Sequence, residues 1–386
     1  MKRGNERILT THTGSLPRPD DLMALLRAKE SGEAYDAGAL AERVRSSVME
    51  TVARQARAGI DIVNDGEMGK PSYATYVKDR LTGFAGGKSA PILAADLGEF
   101  PSFTKRGGRE SGVAVMKRPA CVGPIAYCGL EALRTDIANL KSAAAEAKIE
   151  ETFMSAASPG VVSFFLGDNY YHDHQRYIQA IAEAMRTEYE AIAAAGLILQ
   201  VDCPDLAMSR HIQYKELSIA EFRKTIELHI DALNHALANV PPERSRIHLC
   251  WGNYEGPHHH DAPLAEIVDI VFKARPRGLS YEASNPRHEH EWETFREIRP
   301  PDGKILIPGV IDSVTNFIEH PRLVAQRIGN LANIVGRENV IAGTDCGFGT
   351  IAGVSRVDGE IAWAKLAALA EGAKIASARL WRSSGA

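Results

Sequence analysis

Residues 58–67 read AGIDIVNDGE and residues 195–205 read AGLILQVDCPD. Each begins on the last alanine of a long helical pattern, passes through one glycine and enters a short apolar run ending in polar side chains. A glycine after the last periodic residue is a helix stop, and a short β-branched run bounded by polar residues is a buried strand. Two copies of one join, helix to glycine to strand, point to a repeating α/β unit. Working outward, similar runs occupy residues 8–15, 119–124, 246–253, 278–285, 305–312 and 340–347, so eight strands are expected. Residues 161–167 (VVSFFLG) are a possible ninth, or part of an insertion between the third and fourth. Helical patterns cover 39–58, 175–195, 216–239, 263–274, 320–335 and 358–378. Alternating strands and helices of this length imply a parallel sheet. Eight units fit a (β/α)8 TIM barrel in one domain over 1–386, with a doubly wound open sheet as the alternative. Residues 83–110, rich in Gly and Pro, break the rhythm and read as an excursion near the site.

Composition narrows the function classes. The chain has 386 residues, 45% hydrophobic and 24% charged, with net charge −4 and no long basic run. No nucleic-acid partner is expected. No stretch approaches the length of a membrane span, and the first residues lack the apolar core of a signal peptide. Five cysteines are too few for a disulfide scaffold, so a reducing cytoplasm is the expected location.

In a barrel the chemistry sits where strands run out. There the chain places Gly14-Ser15, Asp65-Gly66-Glu67, Gly123-Pro124, Asp202, His248 with Cys250, Glu282, Asp312 and Asp345-Cys346. Residues i and i+2 of a strand face one side, so His248 and Cys250 are able to hold one ion. Glu282 ends the next strand, and Cys346 ends the last. One imidazole, one carboxylate and two thiolates suit zinc, and the thiolates argue against Mg²⁺ or Ca²⁺. The bland alternative is that each cysteine is a small buried hydrophobe. Two thiolates and a carboxylate would blunt such an ion as a hydroxide generator and suit it to holding a substrate thiol as thiolate.

These strand ends resemble the catalytic barrel of cobalamin-independent methionine synthase and its single-barrel relatives, epoxyalkane–coenzyme M transferase among them. The resemblance rests on TGSLPRP at 13–19, DGE at 65–67, GP at 123–124, QVDCP at 200–204, H-x-C at 248–250, YE at 281–282 and TDCG at 344–347. It implies a zinc-dependent methyl or alkyl transferase acting on a small-molecule thiol. His248, Cys250, Glu282 and Cys346 would be the zinc ligands, and Ser15, Glu67 and Asp202 would bind the thiol substrate, homocysteine. The pattern departs in three ways. There is no room for the synthase's second barrel, Cys203 stands where the synthase has a glutamate, and ASNPRHEHEW follows Glu282. The methyl or alkyl donor, methylfolate or a corrinoid protein among the candidates, is therefore left open, and so is the thiol.

Other readings stay in view: alkyl transfer to a thiol such as coenzyme M, a metal-free decarboxylase of the uroporphyrinogen kind, or a non-enzymatic zinc protein. His258, His259 and His260 line the substrate mouth or form a solvated loop. Arg287, His288 and His290 bind an anionic group or are surface charge. His12 is a proton relay or a capped strand end. Cys203 is near the zinc or simply buried, Cys121 and Cys128 are expected to pack, and Asp312 and Asp345 are expected to orient loops or histidines.

Overall fold

The computed structural model describes residues 1–86, 92–110 and 117–382. Eight parallel strands carry the fold: β1 (Leu9–Thr10), β2 (Ile62–Val63), β3 (Glu151–Ala157), β4 (Ile198–Asp202), β5 (Ser245–Leu249), β6 (Gly278–Tyr281), β7 (Ile305–Pro308) and β8 (Ile341–Ala342). A continuous ladder runs from β2 to β7 in sequence order, and β1 pairs with β8. Isolated parallel bridges, Leu306 to Val340 and Gly309 to Gly343, carry β7 onto β8. Between β1 and β2 there is no ladder, but Asp61 N donates to Thr10 O at 3.2 Å. The result is an α/β fold with a curled parallel sheet and helices packed outside it.

The helix–glycine–strand joins appear as read. The helix Ala37–Ala58 ends on Gly59 at φ 85°, and the helix His174–Ala194 is followed by Gly196 at the same φ. Left-handed backbone is open to glycine without a Cβ penalty, so each helix stops sharply and feeds a strand. Asp36 and Asp173 cap the opposite ends through backbone N–H groups.

The third strand is a correction. Residues 119–124 form only isolated bridges at Cys121, and β3 instead spans Glu151–Ala157. Its sequence, ETFMSAA, contains one β-branched residue, so propensity is weak there. The run VVSFF is helical, within Pro159–Phe165. Ser158 Oγ accepts from Val161 N and Pro159 occupies the first turn, and this start signal outweighs the β-branched pair. The excursion contains two helices, Ala95–Glu99 and Pro101–Glu110. No helix among the described residues is long and apolar enough to cross a membrane.

The strands share one packed interior, layered along their length. Leu9, Ile62, Phe153, Ile198, Ile305, Ile307 and Ile341, from six strands, cluster with Met1 at the lower end. Above them, Arg246 of β5 is fully buried. It donates to Gln200 Oε1 (2.8 Å), Thr11 Oγ1 (3.0 Å) and His12 O (2.9 Å), with its guanidinium 3.8 Å over the Phe153 ring. In register on the same face and one step higher lie Asp202 opposite His248, and His248 opposite Ser280. Apolar, then charged and hydrogen-bonded, then donor-bearing layers thus stack toward the strand ends.

Candidate metal centre

His248 is the penultimate residue of β5, and Cys250 follows directly after the strand, two residues on. The pleat turns both to one side, and Cys346, four residues past β8, meets them. One donor atom each from His248, Cys250 and Cys346 lie within 4.8 Å of one another, all three residues buried. The two sulfurs are 3.8 Å apart. Neither ring nitrogen of His248 has a hydrogen-bond partner. Buried polar groups are nearly always paired, so an imidazole left without partners beside two thiols marks a place built for another electron acceptor. Burial, with Arg246 nearby, lowers the His248 pKa to about 3, so the ring is neutral and its lone pair free. The Cys346 contact and burial raise the Cys250 thiol well above its usual range. A neutral imidazole and two converging sulfurs are a zinc-type donor set, and the residues fit that ion.

Glu282 stands outside this triad. Its Oε1 accepts from Trp251 N (2.8 Å) and its Oε2 from Asn285 Nδ2 (2.9 Å). It follows β6 directly and bonds the backbone next to Cys250, so it borders the three donors. Burial, then the Cys250 charge, pushes its carboxyl well above the usual range.

The donors open into a cavity of about 290 Å³ whose lining includes Ser15, Glu67, Asp202, His248, Cys250 and Cys346. Glu67 is delivered by a tight turn in which Gly66 (φ 65°) and Glu67 itself (φ 57°) are both left-handed. A non-glycine residue held there is strained, a feature concentrated at functional sites. Asp65 Oδ1 secures the turn by accepting from Glu67 N at 2.9 Å. Ser155 Oγ donates to Glu67 Oε1 at 2.6 Å, and Glu67 Oε2 is buried without a partner. Gln200 Nε2 donates to Asp202 Oδ1 at 2.8 Å. Burial, then the Glu67 charge, raises the Asp202 carboxyl well above its normal range. Ser15 lies against Gly347, where an added Cβ would come within 2.1 Å of its Oγ, so a side chain after Cys346 would displace the Ser15 hydroxyl.

Several contributors escaped the sequence reading. Lys70 is buried, donates to Ser155 O at 2.6 Å and lies 4.3 Å over the Tyr76 ring, placing a cation behind Glu67. Ser155 belongs to the missed β3. Ile92, Leu97, Phe165, Met208 and Ile351 supply apolar walls. Among the described residues no lysine or arginine lines the cavity.

The undecided side chains resolve as follows. His12 is buried, with Nε2 2.7 Å from Gln55 Oε1 and Nδ1 accepting from Gly14 N at 3.2 Å, which is a strand-end role. His288 is buried between Asp261 Oδ2 (3.0 Å) and Glu291 Oε2 (2.8 Å) and stacks on Trp251 at 4.2 Å. Arg287 and His290 are exposed. His258 turns inward to Asp261 at 2.8 Å, while His259 and His260 are exposed and meet Glu99. Cys203 and Cys121 are buried, but Cys128 is exposed rather than packed. Asp312 Oδ1 accepts from Val314 N, and Asp345 accepts from the backbone of 283–285, so both orient loops.

No family model matches the chain. It is 24% identical over 374 residues to a methionine synthase of Thermococcus kodakarensis, covering 97% of this chain and 94% of that one. It is equally 24% identical over 402 residues to 2-hydroxypropyl-CoM lyase of Xanthobacter autotrophicus, with 97% and 96% covered. Among solved structures, a B12-independent methionine synthase from Shewanella in complex with selenomethionine superposes with a TM-score of 0.72 at 19% identity, covering 97% of this chain and 99% of that one. A putative vitamin-B12 independent methionine synthase from Listeria monocytogenes gives 0.65 at 19% identity, covering 96% and 98%. The resemblance read from the strand ends therefore extends over nearly the whole chain: it is similar in sequence to methionine synthases and a 2-hydroxypropyl-CoM lyase, and in fold to the B12-independent methionine synthases.

Proposed function

We propose that this chain is a zinc-dependent transferase that moves a methyl or other alkyl group onto the sulfur of a small aminothiol of the homocysteine type. His248, Cys250, Glu282 and Cys346 would hold the ion, with Glu282 moving in to complete the set. The observation that carries the reading is the unpartnered His248 imidazole converging with two thiols at the floor of a cavity that also holds two carboxylates. Zinc bound there supplies the positive charge that keeps a substrate thiol ionised near neutral pH.

The remaining work falls to the chain's own side chains. Glu67, with one oxygen held by Ser155 and the other unpartnered, presents a fixed acceptor to an α-ammonium group. Asp202, oriented by Gln200, supplies the second acceptor, and Ser15 offers a hydroxyl to the substrate's carboxylate. The apolar walls exclude water around the sulfur, which favours attack on carbon and holds donor and acceptor at close range. Coenzyme M carries a sulfonate and no ammonium group, so Glu67 and Asp202 would face an anion with no cation to pair, and the aminothiol is favoured. A metal-free decarboxylase would have no use for the converging triad.

The same reading takes the eight strands as one closed (β/α)8 barrel forming a single domain over 1–386, with 83–110 as an excursion beside the mouth. The Asp61–Thr10 backbone bond across the β1–β2 gap supports closure. A cytoplasmic setting would keep the cysteines reduced.

Zinc-edge X-ray absorption on protein loaded with one equivalent of zinc tests the centre. Homocysteine should add one sulfur neighbour, and a panel of methyl donors should then yield methionine. An unchanged sulfur count with homocysteine present would rule out thiol activation here.

A further inference from the structure

A second group of metal-binding side chains lies outside the cavity. Glu99 ends the helix Ala95–Glu99 in the excursion, and His259 and His260 sit on the loop after β5. His259 Nε2 is 3.0 Å from Glu99 Oε2, and His260 Nε2 meets the other oxygen, Oε1. The two rings lie 4.1 Å apart, and one donor atom from each of the three residues falls within 4.8 Å of the others. All three are solvent-accessible, so an ion would meet no burial penalty and would keep open positions for water. Four-coordinate zinc with bonds near 2.1 Å needs donor atoms about 3.4 Å apart, so the imidazole–carboxylate hydrogen bonds would open slightly around the ion, a small adjustment for exposed side chains. Two imidazoles and a carboxylate form a borderline donor set that suits zinc and neighbouring divalent transition ions rather than Mg²⁺ or Ca²⁺.

We propose that Glu99, His259 and His260 form a second binding site for a divalent transition-metal ion of the zinc type, clasping the excursion to the loop after β5. The two segments already meet at Asp96, whose Oδ2 accepts from Tyr254 OH (2.7 Å) and His258 N (2.8 Å). Ala94 and Leu97 of the same excursion, with Tyr254 of the loop, line the cavity. An ion at Glu99 adds a second tie one helical turn from the first, so its occupancy sets how firmly this cavity wall is held. This site is independent of the transferase reading.

Cobalt titration of the whole protein tests both parts. The equivalent bound at the central cysteines carries a thiolate-to-cobalt charge-transfer band. A second equivalent at Glu99, His259 and His260 should add ligand-field absorption without that band and slow amide exchange at residues 94–99. His259→Ala/His260→Ala, and separately Glu99→Gln, should lose the second equivalent and the slowing while keeping the first. Failure to take up a second equivalent at micromolar metal, its survival in the double variant, or unchanged exchange on binding would each overturn the proposal. Loss of the charge-transfer band alone would instead count against the central site, so the two failures are distinguishable.

Discussion

At the scale of single residues, the centre depends on groups that need touch no substrate. Asp345 precedes Cys346, and its carboxylate accepts the N–H groups of Ala283 (2.8 Å), Ser284 (2.9 Å) and Asn285 (2.9 Å). One buried side chain thereby ties the loop that carries Glu282 to the strand end that carries Cys346. Asparagine offers one acceptor instead of two and leaves part of that loop's backbone unpaired. Asp345→Asn should destabilise the fold by about 1–3 kcal/mol and weaken zinc binding ~10–100-fold, as loss of a ligand-orienting group does. Thermal unfolding and chelator competition read the two effects, and a variant unchanged in both would show that the loop is held by other means. Cys346→Ser should fold but retain far less zinc after dialysis against a weak chelator. Metal content measured at full retention would exclude Cys346 from the ligand set.

At the scale of elements, the segment after β6 is where this chain departs from the synthase pattern, and the structure gives the departure a packing role. His288 lies between Asp261 and Glu291 and stacks on Trp251, the residue after Cys250. Burial opposes its charge, but hydrogen bonds to the two carboxylates outweigh this and push its pKa up to about 10. An imidazole with a folded pKa above its unfolded value of about 6.5 stabilises fully below that value. The contribution fades as pH rises and is lost through about 10. His288→Gln should therefore destabilise by about 3 kcal/mol at pH 6, and the gap to the parent should close as pH approaches 10. A gap independent of pH in urea unfolding would mean that the ring acts by shape alone. The elements also show what is readable in advance. Helix–glycine–strand joins were legible because a left-handed stop needs glycine, and H-x-C was legible because a strand pleat brings i and i+2 together. β3 was not legible, because ETFMSAA carries little local preference and its strand character comes from pairing with β2 and β4. Ser155 and Lys70 were hidden for the same reason, since the bonds from Ser155 to Glu67 and from Lys70 to Ser155 each join residues more than eighty positions apart.

At the scale of the molecule, the question is what holds the first strand to the second, where the ladder is missing. Asp61 is the common partner. Its Oδ2 accepts from Thr10 N (2.9 Å) and Thr10 Oγ1 (3.0 Å), and its backbone oxygen accepts from Glu150 N (2.8 Å) at the entry to β3. Arg7 also pairs with Asp61 at 2.6 Å, but that guanidinium is 44% exposed, so the pair adds little. If the seam is closed by Asp61's bonds to the backbone, Asp61→Ala should lower stability by about 2–3 kcal/mol and speed amide exchange at Thr10 and Thr11. Arg7→Ala should change stability by less than ~1 kcal/mol. Leu9 and Ile62, the chain neighbours of Thr10 and Asp61, belong to the apolar cluster at the lower end of the strands, away from the three metal donors. Asp61→Ala should therefore bind zinc at the central cysteines as tightly as the parent under conditions where both are folded. Equal losses from Arg7→Ala and Asp61→Ala would show that surface charge, not bonding across the seam, joins the two strands. A matching loss of zinc affinity would show that the two ends of the strands are not separable.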